Sequence, residues 1–179
     1  MIGWSVIGGS VMGLLSILPE RVAGRAGGNA LLAGRRPDVL SGMTSFVSHT
    51  TVDCRNAYEL SEWWRQLLGY TDVADDPNAP GHEECMILDP DSGHRILFIE
   101  VPEAKSAKNR LHFDLRPRSG TRDEEIERVR AMGAVEVADR RGQWGPGSGW
   151  VVFNDPEGNE FCILRSEAEL ESAAAGPEV

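Results

Sequence analysis

Two alternating segments, each with a histidine near its start, lie 63 residues apart and constrain the fold of this chain more than any other feature. His49 opens the run HTTVDCR, and His112 lies in the run NRLHFDLRP. In both runs apolar and polar residues alternate with the period of two that is typical of a β-strand with one apolar face. We place the first of these strands at Phe46–Cys54 and its counterpart at Leu111–Arg116.

The chain after each of these strands repeats one series of signals. A capping box starts a helix in both copies, with Asn56 and Glu59 in the first and Thr121 and Glu124 in the second. A glycine then ends each helix, and three short strand patterns follow, the last two joined by an Asp-Pro turn. The glycines are 64 residues apart and the turns 66. This spacing predicts an α+β fold built from two tandem βαβββ modules.

Length and charge limit the classes of partner. The 179 residues are 41% hydrophobic, which is enough for one core. The net charge of -10 argues against binding to nucleic acid or to an anionic membrane. The three cysteines (Cys54, Cys85 and Cys162) are widely separated. An odd number of cysteines without CxxC spacing indicates reduced thiols and hence a cytoplasmic protein.

We divide the chain into an extension, one domain and a tail. The domain covers residues 43–168, with modules at 45–101 and 110–166. Residues 1–42 are rich in Gly, Ala and Arg and lack sustained periodicity. We interpret them as a disordered or weakly helical extension. The alternatives are an export or membrane segment, or a true start of the protein at Met43. Residues 169–179 are Ala/Glu-rich and are interpreted as a flexible tail.

Three segments carry a resemblance to a known superfamily. LSEWWRQLLGY at Leu60–Tyr70, VPEAKSAKNRLHFDL at Val101–Leu115 and DPEGNEFCILRS at Asp155–Ser166 resemble the vicinal oxygen chelate superfamily, also called the glyoxalase/bleomycin-resistance fold. Within it the chain is most similar to bacterial glyoxalase-like domain proteins. The resemblance implies two modules whose sheets surround a shared cleft, with helices outside, and it implies a homodimer. Strand parity then places one set of residues toward the helices (Val52, Phe113, Leu115) and another in the cleft (His49, Thr51, His112, Asp114).

The resemblance also implies a divalent metal held by a histidine from the first strand and a carboxylate from the last strand of each module. His49 and His112 match the histidine positions, but Leu97 and Cys162 occupy the acid positions. Glu100 has the opposite parity to Leu97 and is expected to point toward the helices. We therefore expect no site for a hard cation. If a metal binds, zinc through His49, His112 and Cys162 is favoured, with Asp53 or Asp114 as further oxygen donors.

Other residues complete the predicted ligand cleft. Arg116 is expected to pair with Asp114 or to anchor an anionic ligand, and Trp144 and Trp150 flank a Gly-rich loop that could form an aromatic lid. One of the adjacent Trp63 and Trp64 must be core, since both cannot face it. The predicted cleft residues are His49, Thr51, Leu97, His112, Asp114, Arg116, Trp144, Trp150 and Cys162.

Three functions are compatible with this pattern. The favoured one is a protein that binds a small organic molecule without the full metal site. The alternative is a metal-dependent lyase, isomerase or dioxygenase of the glyoxalase type, so whether the protein is an enzyme stays open. The third is an interaction module without a ligand. Fold alone does not decide among them.

Overall fold

The structure is a computed structural model that describes residues 44–175. It contains two four-stranded sheets with the strand orders β1-β4-β3-β2 and β5-β8-β7-β6. In each sheet the first strand is parallel to the last and the other pairs are antiparallel. The strands are β1 (Thr50–Cys54), β2 (Thr71–Asp72), β3 (Glu84–Leu88), β4 (Arg95–Glu100), β5 (Phe113–Leu115), β6 (Val135–Asp139), β7 (Val151–Asn154) and β8 (Glu160–Ile163); the helices are α1 (Ala57–Leu68), α2 (Arg122–Ala131) and α3 (Glu167–Ala175).

The duplication is confirmed by the strand register. Thr51 lies opposite Leu97 in the first sheet, and Asp114 lies opposite Cys162 in the second. These pairs occupy equivalent places in the two modules, so the α+β fold of two βαβββ modules is as predicted. No helix within residues 44–175 has the length and apolar character needed to cross a membrane. The predicted extension at residues 1–42 lies outside the described residues.

Parity also separates the two faces of each sheet as predicted. Val52, Phe113 and Leu115 pack against the hydrophobic core. Glu100, of opposite parity to Leu97, accepts a hydrogen bond from the backbone N–H of Ala57 at the start of α1 (3.1 Å). A carboxylate at a helix N-terminus stabilises the helix, because it satisfies a free N–H and opposes the helix dipole.

The two capping boxes differ from each other. At α2 the box is complete, since Thr121 and Glu124 exchange side-chain-to-backbone hydrogen bonds. At α1 the side chain of Asn56 accepts from the N–H of Glu59 (2.9 Å), but Glu59 does not return the bond. The N–H of Asn56 instead donates to Glu157 (3.0 Å), a residue of the turn between β7 and β8. A long-range contact thus replaces half of the predicted local motif.

Both histidine-bearing strands begin later than predicted. β1 begins at Thr50 rather than Phe46, and β5 at Phe113 rather than Leu111. Each strand lies at a sheet edge and pairs with one neighbour only, so the ladder stops where that neighbour starts. Phe46 is accordingly 88% exposed in spite of its apolar side chain.

The segment after β8 is helical over most of what was predicted as a tail. α3 begins after Ser166, which exchanges hydrogen bonds with Glu169 in the manner of a capping box. Glu169 also accepts from the N–H of Arg122 (2.8 Å), so the start of α3 lies beside the start of α2. No residue of α3 is buried.

One hydrophobic core contains residues of both modules. Trp64 of α1 lies at its centre, with ring centroids 5.4 Å from Phe113 and 5.2 Å from Phe161. Trp63 is only partly buried and donates from Nε1 to the carbonyl of Met132 after α2 (2.9 Å). The first module's helix is therefore packed against strands of the second.

Candidate functional site

Cys162 is buried but does not belong to the hydrophobic core. It is 3% exposed, and it lies on the face of β8 opposite to Phe161 and Ile163, which are core residues. Its strand neighbours on this face are Asp114 of β5 and Val152 of β7. Burial raises the pKa of the Cys162 thiol to about 12, and the adjacent Asp114 carboxylate adds to this rise. The thiol is protonated at neutral pH, so it lacks the reactivity of a nucleophilic cysteine.

His112, Asp114 and Cys162 form a group of metal-ligand atoms. One atom from each lies within 4.8 Å of the others. Nε2 of His112 is 3.4 Å from Oδ1 of Asp114. His112 directly precedes β5, and Asp114 follows two residues later on the same side of the chain. The cluster therefore comes entirely from the second module.

This donor set does not suit a hard cation. One imidazole, one carboxylate and one thiol resemble the ligands of zinc, whereas Mg²⁺ and Mn²⁺ prefer several oxygen atoms. In the first module the equivalent acid position is Leu97, which offers no ligand atom. The nearby Glu100 is turned toward α1 and is engaged there.

The structure does not bring His49 into this cluster. His49 is exposed, precedes β1, and has Ser48 as its side-chain hydrogen-bond partner (3.2 Å). The third potential ligand beside His112 and Cys162 is Asp114. The sequence predicted Asp114 only as a further oxygen donor. Asp114 and His112 alternate on one side of a short strand, and this spacing was the available signal.

Arg116 also has other partners than predicted. Its guanidinium lies 3.0 Å from the carboxylate of Glu167 in α3 and donates to the carbonyl of Arg165 (2.6 Å). The expected ion pair with Asp114 is not formed, because Asp114 faces His112. The helix at residues 167–175, which was not predicted, supplies the alternative carboxylate.

Trp144 and Trp150 stack on each other, with ring centroids 5.0 Å apart. Trp144 is 59% exposed at the tip of the loop between β6 and β7. Gly149 in this loop has φ +79°, and a Cβ there would lie 1.9 Å from the carbonyl oxygen of Arg140. Only glycine permits this close return of the chain. Neither tryptophan lines the cavity between β1 and β5.

A cavity of about 690 Å³ lies between the free edges of β1 and β5. Its other walls are the segment that connects the modules and the turn between β7 and β8. Of the predicted cleft residues, Thr51 and His112 line it. His112 therefore joins the cavity to the potential metal-ligand cluster. The apolar lining includes Val52, Trp64, Val101, Leu111 and Phe113, and the polar lining includes Asp53, Glu103, Lys105, Asn109, Arg110 and Glu160.

The connecting segment contributes cavity residues that sequence reasoning missed. Lys105 of this segment forms an ion pair with Glu160 of β8 (3.1 Å). Glu160 also accepts from the backbone N–H of Asn109 (3.0 Å). These two contacts fix the segment against the second sheet. The sequence gives no periodic signal for them, because they join an irregular segment to a distant strand.

Asp155 also lines the cavity. It is buried and accepts from Nε1 of Trp64 (3.0 Å) and from the side chain of Asn159 (2.9 Å). Its other oxygen accepts from the backbone of Glu157 and Asn159. The Asp-Pro turn that marked the duplication is therefore also a connection between α1 and the second module.

Comparison with known proteins agrees with this fold. The family model described as glyoxalase-like domain matches residues 49–164. The fosfomycin resistance protein FosX from Mesorhizobium loti is 17% identical, with a TM-score of 0.52, covering 73% of this chain and 99% of that one. A mutant FosX from Listeria monocytogenes, complexed with Mn(II) and 1S,2S-dihydroxypropylphosphonic acid, is 20% identical, with a TM-score of 0.52 and coverage of 72% and 98%.

A third structure, an Agrobacterium tumefaciens protein determined by solution NMR, is 14% identical, with a TM-score of 0.53 and coverage of 68% and 97%. At these identities the solved structures support the fold alone. No curated protein sequence matches the chain. The family match covers more than half of the chain and agrees with the two βαβββ modules. This chain belongs to the glyoxalase-like domain family of the vicinal oxygen chelate superfamily.

Proposed function

We propose that this protein binds a small organic molecule in the cavity between β1 and β5, without a metal centre for hard cations. The observation that carries the proposal is the cavity itself. Its volume of about 690 Å³ falls within the roughly 300–1,000 Å³ typical of small-molecule sites. Its lining combines aromatic side chains (Trp64, Phe113) with a few polar groups, as such sites do.

The lost acid ligands support binding rather than metal-dependent catalysis. Leu97 and Cys162 stand where the resemblance places carboxylates, so neither position offers an oxygen ligand. In the cluster of His112, Asp114 and Cys162, a cation that requires oxygen ligands would find one carboxylate, that of Asp114. The described residues that line the cavity include no cysteine or serine that could act as a nucleophile.

A homodimer in the cytoplasm is part of this proposal. β1 and β5 each leave one sheet edge free, and the apolar side chains of Phe46 and Leu111 are 88% and 86% exposed. Exposed edges and apolar groups of this kind favour association with another subunit. The three cysteines are free thiols, as expected in a reducing compartment. We expect light scattering to give twice the mass of one chain.

The binding proposal can be tested with 4-phenylbutan-1-ol as a neutral probe. It has an aromatic body and one hydroxyl group, which matches the lining. At about 0.3 kcal/mol per non-hydrogen atom we expect a dissociation constant in the millimolar range. Amide NMR shifts that map to the cavity walls would report the site.

A matched pair of variants localises the probe. Ala104 lines the cavity, whereas Ala107 lies in the same segment outside it; both are exposed. Ala104→Trp should fill the cavity and abolish the shifts, and Ala107→Trp should leave them unchanged. No binding by the unmodified protein, or equal binding by both variants, would contradict the proposal.

The second candidate function is that of a zinc-dependent enzyme. The observation in its favour is the cluster of His112, Asp114 and Cys162, whose donor types suit zinc. When bound, zinc would act as a Lewis acid at the cavity wall. Stoichiometric zinc after dialysis against the metal, lost in His112→Ala and kept in the exposed control His82→Ala, would favour this function over the first.

A further inference from the structure

The charged groups of the cavity fall into a neutralised set and a free set. Lys105 and Glu160 neutralise each other as an ion pair (3.1 Å). Asp155 is satisfied by hydrogen bonds from Trp64 and Asn159. Within residues 44–175, Asp53 and Glu103 form no side-chain hydrogen bond or ion pair. Their carboxylates are therefore available to a ligand.

The two free carboxylates belong to backbone segments that are hydrogen-bonded to each other. Asp53 is the penultimate residue of β1, and it is exposed on the strand face that carries Thr51. The backbone N–H of Val101 donates to the carbonyl of Cys54 (2.9 Å), which joins the end of β1 to the start of the connecting segment. Glu103 follows two residues later and is exposed as well.

The electrostatic balance of the lining favours a cation. Four acidic side chains line the cavity against two basic ones. After Lys105 is paired with Glu160, Arg110 is the remaining basic side chain of the lining. A cleft with an excess of one sign of charge attracts ligands of the opposite sign. The net charge of -10 on the whole chain acts in the same direction.

The rest of the wall is apolar. Val52, Leu111 and Phe113 come from the two strand-edge segments, and Trp64 of α1, which contacts Phe113, also lines the cavity. This surface can bury the hydrocarbon part of a ligand, and burial contributes about 25 cal/mol per Å² of apolar area. A suitable ligand has an apolar body that lies along these residues and a charged end that reaches the free carboxylates.

We propose that the ligand is a protonated amine with an apolar body, recognised through Asp53 and Glu103. This inference rests on the proposed function, since it names the ligand class of the same cavity. It predicts an order of affinity among compounds of one skeleton. An ammonium group gains from the two carboxylates, a hydroxyl group is neutral to them, and a carboxylate is repelled.

Three probes with one skeleton separate the inference from the proposed function. They are 4-phenylbutylamine, 4-phenylbutan-1-ol and 4-phenylbutyrate, each measured by NMR titration at low ionic strength. We expect the amine to bind about five- to tenfold more tightly than the alcohol, as for one or two partly exposed charge pairs, and the acid to bind most weakly. The preference should shrink at high salt, because salt screens exposed charges.

Variants assign the preference to the two carboxylates. The double variant Asp53→Asn, Glu103→Gln should bind amine and alcohol with nearly equal affinity. The control Glu171→Gln removes an exposed charge on α3 outside the cavity and should keep the preference. If all three probes bind equally well, or if the double variant keeps the preference, the amine inference is wrong and the binding function stands. If none binds, the binding function itself is wrong.

Discussion

Glu157 shows how one side chain can stabilise a helix of the other module. Its carboxylate accepts from the backbone N–H of Arg55 (2.7 Å) and of Asn56 (3.0 Å), immediately before α1. Two groups that α1 cannot satisfy internally are thereby paired, and a negative charge lies at the positive end of the helix. The contact spans 101 residues of sequence and joins the second module to the first.

We expect Glu157→Ala to lower the free energy of unfolding by about 1–2 kcal/mol, because it leaves two N–H groups without a protein partner. Urea denaturation measures this change. The matched control is Glu127→Ala, which removes an exposed ion pair with Arg130. That pair should contribute less than about 0.5 kcal/mol. Equal losses in the two variants would show that Glu157 acts only as a surface charge.

The capping residues also show which local signals the sequence carries. The Thr121–Glu124 box was predicted correctly because both partners lie within one helical turn. Half of the Asn56 box was wrong because a residue far along the chain competes for the same N–H. The Ser166 box was visible as S-x-x-E, but the Ala/Glu-rich composition around it was interpreted as a flexible tail.

The same limit applies to the candidate site. Strand parity correctly directed Glu100 toward the helices, and the structure places it at the start of α1. Parity reports only which face of a strand a residue occupies. The cavity lies at strand edges and against an irregular segment, so Glu103 and Lys105 could not be assigned to it from a pattern.

At the scale of elements, an ion-pair network joins the end of β6 to the start of α2. Arg141 contacts Asp139 (2.7 Å) and Asp123 (2.8 Å). Hydrogen bonds from Arg141 lower the pKa of Asp139 from its ordinary value of 3.8 to about 2. The folded protein therefore binds this proton less readily than the unfolded chain does.

This shift predicts a pH dependence of stability. A lowered pKa stabilises the fold above the unfolded value, and the contribution is lost as the pH falls from about 4 to about 2. Asp139→Asn should reduce the slope of unfolding free energy against pH in that window. Asp75→Asn, in an exposed loop, should keep the wild-type slope. An unchanged slope in Asp139→Asn would mean that the ion pair is fully screened by solvent.

At the scale of the whole molecule, the two modules share a core instead of folding around separate ones. Ile96 and Phe98 from β4 belong to the same buried cluster as Phe153 and Phe161 from β7 and β8. Trp64 connects the halves, since it is carried by α1 and packs on Phe161. A sequence can reveal that a unit is repeated, but it does not show that the repeats share their interior. That property depends on contacts between residues about one hundred positions apart.

A shared core predicts that the two modules unfold together. Trp64→Phe keeps a ring but reduces the packed volume, and it removes the N–H that donates to the buried Asp155. We expect a loss of about 2–4 kcal/mol in the free energy of unfolding, because a cavity is created and the buried carboxylate of Asp155 loses one of its hydrogen bonds. Trp144→Phe, at an exposed position, should have little effect.

Scanning calorimetry of the unmodified protein and both variants tests this prediction. The unmodified domain should show one transition whose calorimetric and van't Hoff enthalpies agree. In Trp64→Phe that single transition should move to lower temperature as a whole, since the side chain contacts strands of the second module while its helix packs on the first. Two transitions, of which only one moved, would show that each module has its own cooperative core and that Trp64 contributes to one of them.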